Sequence, residues 1–371
     1  MHESSGNGVG LVRARKRDDE VAALADRLGG QVGIEGVLAD LNREAQVTRV
    51  PGKAVWGFKW AEDDSRSQRW FPQGITTSAD HGSPEELDGR HLVCTSWYSR
   101  DVNGIHKGAR ITFVDVTDRE HPRYRHVLLV EPVFGVNGRV DVVPVMIHAG
   151  GIVWHGPYLH VAATTRGIYC FRPDDILRVV PGGDPRQLRI RDDGRVDSFG
   201  YRYVLPVRFT YEALADDGLE KLRYSFLSID RSRSPHLLVA GEYADRGMTT
   251  RLVSYELNPE TSLLREHEDN RARPLSMHDA EVRAMQGAAV VGDTYYVTTS
   301  AGRYRRGSLW VGRPGELKRF AHALPTGPED ISYWPSTRQL WSLTEYPGRR
   351  YVFAMNRADF DAKASTSSAV Q

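Results

Sequence analysis

Between Gln46 and Ala362 one order of segments comes round five times, and this recurrence constrains the fold more than any other feature of the chain. Each round begins with an apolar run, turns into a second run that ends in small or hydroxyl residues, and continues into a third. The first reads Phe71-Pro72-Gln73-Gly74-Ile75, His91 to Trp97, then Ala109 to Val116. The second starts at Ile147-His148-Ala149-Gly150-Gly151-Ile152 and continues through Tyr158 to Thr164 and Gly167 to Phe171. The third, fourth and fifth start at Tyr224-Ser225-Phe226-Leu227, Met285-Gln286-Gly287-Ala288 and Pro328-Glu329-Asp330-Ile331. The runs are short, rich in Val, Ile, Thr, Tyr, Phe and Trp, and bounded by Gly, Pro, Asp and Asn. That pattern belongs to antiparallel strands in a sandwich, barrel or propeller. Repetition of a three-strand unit with room for a fourth selects the last of these. The expected fold is therefore all-β, a five-bladed β-propeller with a short N-terminal helical extension.

The ends fit around that ring. Residues 1 to about 17, rich in Gly, Ser and charge, read as disordered. Val21, Leu24 and Leu28, then Ile34, Val37, Leu38 and Leu41, recur at helical spacing on either side of Gly29-Gly30, which predicts two short helices before residue 45. Residues 46–362 form the propeller. Its stretch 46–60, with Val47-Thr48-Arg49-Val50 and Val55-Trp56-Gly57-Phe58, is expected to supply the outer strand of the last blade and leave no open sheet edge. Residues 363–371 read as a disordered tail.

Charge excludes some partners. Lys and Arg total 49 against 48 Asp and Glu, a formal net charge of +1, so neither nucleic acid nor an anionic membrane is expected as the main partner. No apolar run is long enough to span a bilayer, and the polar start lacks the apolar stretch of a signal peptide. A cytoplasmic location is the expectation. Cys94 and Cys170 sit alone inside strand runs and read as small buried hydrophobes. No phosphate-cradling glycine loop, dinucleotide fingerprint, Gly-x-Ser-x-Gly elbow or His-Glu-x-x-His is present, so no cofactor is predicted.

Propeller inner strands line a central channel, and three inter-blade links look long: Gly135 to Pro144, Pro181 to Lys221 and Arg265 to Val282. Long links crowding one face point to a site there. Alignment of the inner strands places Gln73, Ala149, Ser225, Gln286 and Glu329 at one level, with Pro72, His148, Tyr224, Met285 and Pro328 one residue earlier. A one-residue shift exchanges which set faces the channel. Glu329, desolvated among amides beside Asp330, is the candidate general acid or base, and His148 its catalytic partner. Gln73, Gln286, Tyr224 and Ser225 are candidate substrate contacts, and His278, in the run His278-Asp279-Ala280-Glu281, is placed in a link reaching over the mouth. Against these stands a structural role for each, as a satisfied backbone partner or core residue. His155 and His160 match no zinc spacing, and Trp97, Tyr98, Trp154 and Trp334 suit blade packing as well as an aromatic pocket. A central metal ion is a third use of the ring, although only Glu329 is charged in it.

The phrases Phe71-Pro72-Gln73-Gly74-Ile75 and Met285-Gln286-Gly287-Ala288 resemble the Gln-Gly inner-strand starts of glutaminyl cyclotransferases of the five-bladed type. That resemblance implies cyclisation of N-terminal glutamine with a carboxylate at the channel mouth. The inner strands at His148-Ala149-Gly150 and Tyr224-Ser225-Phe226 depart from the Gln-Gly pattern. The expected function is an enzyme that acts on a small organic molecule by acid/base-assisted cyclisation, elimination or hydrolysis at the mouth. The alternative is a non-catalytic propeller that binds a protein or carbohydrate on its loop face.

Overall fold

Strands inside the repeats can be buried on both faces, because each sheet is covered on both sides by its neighbours. Leu237–Gly241 is buried at every position, and so is Ile152–His155. A computed structural model describes residues 8–365 of the chain. Residues 1–7 and 366–371, inside the ends read as disordered, lie outside the described residues.

The sheets follow one another along the chain. In the first, Trp70–Thr77, Leu92–Ser99, Ala109–Asp115 and Arg123–Phe134 pair antiparallel in sequence order. Next come Ile152–His155, Tyr158–Ala162 and Ile168–Phe171, which end on the long strand Tyr203–Ala215. Another sheet runs Phe226–Asp230, Leu237–Gly241, Arg251–Glu256 and Ser276–Asp279. It is followed by Met285–Val291, Thr294–Thr299, Ser308–Gly312 and Lys318–Phe320. The last sheet has Pro328–Trp334, Gln339–Thr344 and Tyr351–Asn356, and is completed from the far end of the chain by Trp56–Lys59 and Gln46–Val47. The first strand of each sheet packs against the first strand of the next, and Pro328–Trp334 packs back on Trp70–Thr77. The architecture is a β-propeller.

Apolar wedges between successive sheets form the core. Leu227, Leu238 and Val253 meet Ile168, Cys170 and Phe209 in one wedge, and Ala289, Tyr296 and Leu309 meet Ile331, Leu340 and Phe353 in another. Cys94 and Cys170 are free and buried. Trp97, Trp154 and Trp334 are fully buried packing residues. The helices Asp18–Leu28 and Gly33–Leu38 turn Val21, Leu24, Ile34 and Val37 inward. No helix among the described residues is long and apolar enough to cross a membrane.

Two expectations change. Part of the opening stretch expected to be disordered is a strand: Val9–Arg13 pairs antiparallel with Ala215–Tyr211 and with Arg271–Ala272, which covers an otherwise open edge. Gly10 serves packing there, since a Cβ would fall 2.6 Å from the Ala272 carbonyl oxygen. The three long links also carry strands. Val140–Pro144 folds back on the first sheet, Pro181 to Lys221 contains the outer strand Tyr203–Ala215, and Arg265 to Val282 contains the outer strand Ser276–Asp279. The first link adds a fifth strand to its sheet and the other two supply fourth strands, length that was expected in loops over the mouth.

Candidate active site

Glycine sets the level at which the inner strands meet. A Cβ on Gly74 would lie 2.7 Å from Gly151 and Ile152 backbone atoms, one on Gly151 would lie 2.2 Å from the Leu227 nitrogen, and one on Gly287 would lie 2.7 Å from the Asp330 Cα. Only glycine permits backbones this close. The fully buried Asp330 then ties the strands together: its Oδ2 accepts from the Ile75 nitrogen at 3.3 Å and the Ile152 nitrogen at 3.4 Å. Its Oδ1 has no hydrogen-bond partner among the described residues. Burial, outweighing these amide hydrogen bonds, pushes the Asp330 carboxyl well above the usual range.

Ile75 and Ile152 share one acceptor, so Gln73 stands level with Gly150, one residue later than the Ala149 of the sequence alignment. Ala149 is buried, with a left-handed φ of 52° and its carbonyl held by the Ser96 hydroxyl at 2.8 Å. One residue toward the open face from the glycine level lie Gln73, Gln286 and Glu329. Antiparallel pairing brings the end of each second strand to the same face, because Pro328 pairs with Thr344 and Phe71 with Tyr98. The residues just past these strand ends, Arg100 after Ser99 and Glu345 after Thr344, therefore lie at that face.

Glu329 is 3% exposed, and among the described residues no hydrogen bond restrains its carboxyl group. Burial, then the Glu345 and Asp330 charges, push it well above the usual glutamate range. Glu345 is half-buried and also raised by burial, but the Tyr346 hydroxyl, the Arg100 and Arg350 charges and the Gln73 amide draw it back. Two neighbouring carboxyls thus sit in unlike surroundings, one without stabilising partners and one with several. Nothing opposes the protonated form of Glu329, whereas Glu345 has partners that favour its ionised form.

Aromatic and cationic groups complete the rim. Arg100 lies 3.9 Å over the Phe71 ring and donates to the Tyr98 hydroxyl at 3.3 and 3.4 Å. The Arg350 Nε donates to the Glu345 carbonyl at 2.7 Å, and burial and Arg110 push its pKa down to about 9. Burial and Glu345 push Tyr346 up to about 12, and Tyr243 is raised by burial and by Asp245, Glu329 and Glu345. The His148 ring reaches solvent and stacks on Tyr98 with centroids 4.3 Å apart. Crowding atoms and Arg100 lower its pKa, so it stands neutral near pH 7. Beside it opens a cavity of about 250 Å³ lined by Tyr98, Met146, His148, Thr164 and Arg166.

Of the residues singled out from sequence, Glu329 and Gln73 come together through Glu345, and His148 joins them through Tyr98 and Arg100. Ser225 is half-buried with its hydroxyl directed to the Arg223 carbonyl at 3.5 Å, and Gln286 is half-buried beside Gly287. Tyr224 is not a substrate contact. It is 1% exposed, packs in an inter-sheet wedge and shares a 2.5 Å hydrogen bond with the Tyr255 hydroxyl, since alternation turns it into the blade. His278 lies in the outer strand Ser276–Asp279, opposite Leu252 and away from the inner strands, so it does not reach the mouth. His155 and His160 are buried, and burial lowers both. Glu345, Arg100, Tyr243 and Tyr346 were missed. Antiparallel pairing of the first two strands in each repeat was the signal that could have found them. Among the described residues, no group of three or more His, Cys, Asp or Glu side chains is placed to hold a metal ion.

No protein-family model and no curated protein matches the chain. Solved structures similar to it include the β-propeller domain of Swd1 (Cps50) from Myceliophteria thermophila, at 9% identity and TM-score 0.39, covering 82% of this chain and 99% of that one. A gluconolactonase from Xanthomonas campestris matches at 12% identity and TM-score 0.34, covering 86% and 89%. A GH43_1 enzyme from Xanthomonas citri complexed with xylotriose matches at 10% identity and TM-score 0.35, covering 91% and 92%. A fold of this kind by itself assigns no activity.

Proposed function

We propose that the mouth is the active site of an enzyme that moves protons with two carboxyls, on a propeller of five blades. The cyclic packing of the inner strands Trp70–Thr77, Ile152–His155, Phe226–Asp230, Met285–Val291 and Pro328–Trp334 supports the blade count. One observation carries the functional reading: Glu329 and Glu345 lie near enough for the Glu345 charge to act on Glu329, and they sit in unlike environments. Hydrolysis of a small polar molecule uses both groups most directly. Protonated Glu329 donates to the leaving group, ionised Glu345 takes a proton from the attacking water, and Arg100 and Gln73 orient polar groups of the substrate. Cyclisation, as the glutaminyl cyclotransferase resemblance implies, would use the same pair with an internal nucleophile in place of water.

The test is a turnover screen of the full chain against chromogenic esters, lactones, glycosides and peptides with N-terminal glutamine. It is repeated with Glu329→Gln and Glu345→Gln. Each variant is expected to lose about 10²- to 10⁴-fold in kcat while remaining folded. Full activity in either variant contradicts the reading. Absence of any turnover, with a carbohydrate or protein held at the mouth, favours the non-catalytic binder.

A further inference from the structure

A second cavity, of about 390 Å³, opens beside the first sheet and is separate from the carboxyl pair. Its lining includes Arg43, Arg69, Lys107, Arg110, Arg125 and Arg202. Three carboxylates serve these six cations. Asp64 holds Arg110 at 2.8 Å and Arg43 at 3.1 Å, Asp63 holds Arg43 at 2.7 Å, and Asp40 is shared by Arg125 and Arg202 at 3.4 Å each. The remaining excess is three positive charges, because burial lowers His126 to about 4 and leaves it neutral near pH 7.

The surplus is localised. Lys107 has no carboxylate partner among the described residues, and its ammonium donates to the Pro185 and Phe199 carbonyls, each at 3.2 Å. Arg69 likewise donates to carbonyls, at Val102 and Ile105. Beneath them Arg110 is 3% exposed between the Trp70 and Trp97 rings, and its Nε has no partner. The loop that brings the Phe199 carbonyl to Lys107 is strained, with φ 54° at a bulky side chain. Arg110 is held by Asp64, whereas Lys107 and Arg69 have only carbonyl partners among the described residues; burial, Arg69 and Arg110 all weaken proton binding at Lys107. Crowded cations on a rigid floor, with donors left over, form a receptor for a multiply charged anion.

We infer that this cavity binds a small di- or trianion of the phosphate or polycarboxylate kind, with Lys107, Arg69 and Arg202 as its contacts. The inference is independent of the acid/base reading. It is tested by titration calorimetry of the full chain with inorganic pyrophosphate and, separately, with succinate. Saturable one-site binding is expected. Lys107→Met and the exposed Arg202→Gln should each weaken it by about tenfold or more. The surface control Arg305→Gln should leave it unchanged. Tighter binding of pyrophosphate supports the site as a phosphate receptor, and tighter binding of succinate supports it as a carboxylate receptor. Far-ultraviolet circular dichroism shows whether each variant is folded, and the exposed Arg202 keeps the test open if Lys107→Met is not. The inference is overturned if neither anion saturates below about 10 mM, if the folded variants bind as tightly as the parent, or if Arg305→Gln loses as much as they do.

Discussion

At the scale of single residues, buried carboxyls pull the pH dependence of stability in two directions. Burial alone would raise Asp64, but His126, Arg110 and Arg43 outweigh it and hold its carboxyl well below the usual range. A group lowered in this way stabilises the fold above its unfolded pKa of about 4, and that stability is lost as pH falls through the folded value. His126, lowered to about 4, acts in the same direction, because acid must charge a buried ring. Replacement Asp64→Asn strands Arg110 inside the protein and is expected to cost about 3–5 kcal/mol in denaturant unfolding at pH 7. Asp330 works the other way. Its raised pKa means that stability is full below the unfolded pKa and falls as pH rises toward the folded value. Asparagine has the shape of the protonated acid and no charge to bury. Thermal unfolding of Asp330→Asn should therefore show a higher Tm than the parent at pH 8, and the gap should close toward pH 5. A gap that is equal at both values would mean that Asp330 is not held protonated.

At the scale of elements, the ring is closed by a strand from the opposite end of the chain. Trp56–Lys59 pairs with Tyr351–Ala354, and the closure depends on close packing at Gly57. A Cβ there would lie 2.6 Å from the Val50 side chain and 2.7 Å from the Val352 carbonyl oxygen. Gly57→Ala is expected to cost about 1–3 kcal/mol in denaturant unfolding, through strain in this seam. The strand order of each repeat was readable from β-branched and aromatic runs between turn residues. The outer strands Tyr203–Ala215 and Ser276–Asp279 were not, because they follow long insertions that look like loops. Register was readable only to within one residue. Ala149 and Gly150 are both small, and the choice between them is made by a backbone amide reaching Asp330 from another sheet.

At the scale of the whole molecule, the propeller was legible because repetition and a missing outer strand leave few ways to close a chain. Half of the proposed site was legible for the same reason: Glu329 and Gln73 lie on the inner strands Pro328–Trp334 and Trp70–Thr77. Glu345 was not, since its importance arises only when the fifth repeat closes against the first and brings Gln73, Arg100 and Glu329 around it. That meeting defines the proposed site. Carbon-13 NMR of the glutamate carboxyls across the pH range, assigned with Glu329→Gln and Glu345→Gln, tests it most directly. Two coupled steps are expected above the ordinary glutamate value of about 4.3, the higher belonging mainly to Glu329. Removal of the Glu345 charge should lower the Glu329 step. Two independent titrations near the ordinary value would contradict the assignment of an acid and a base to this mouth.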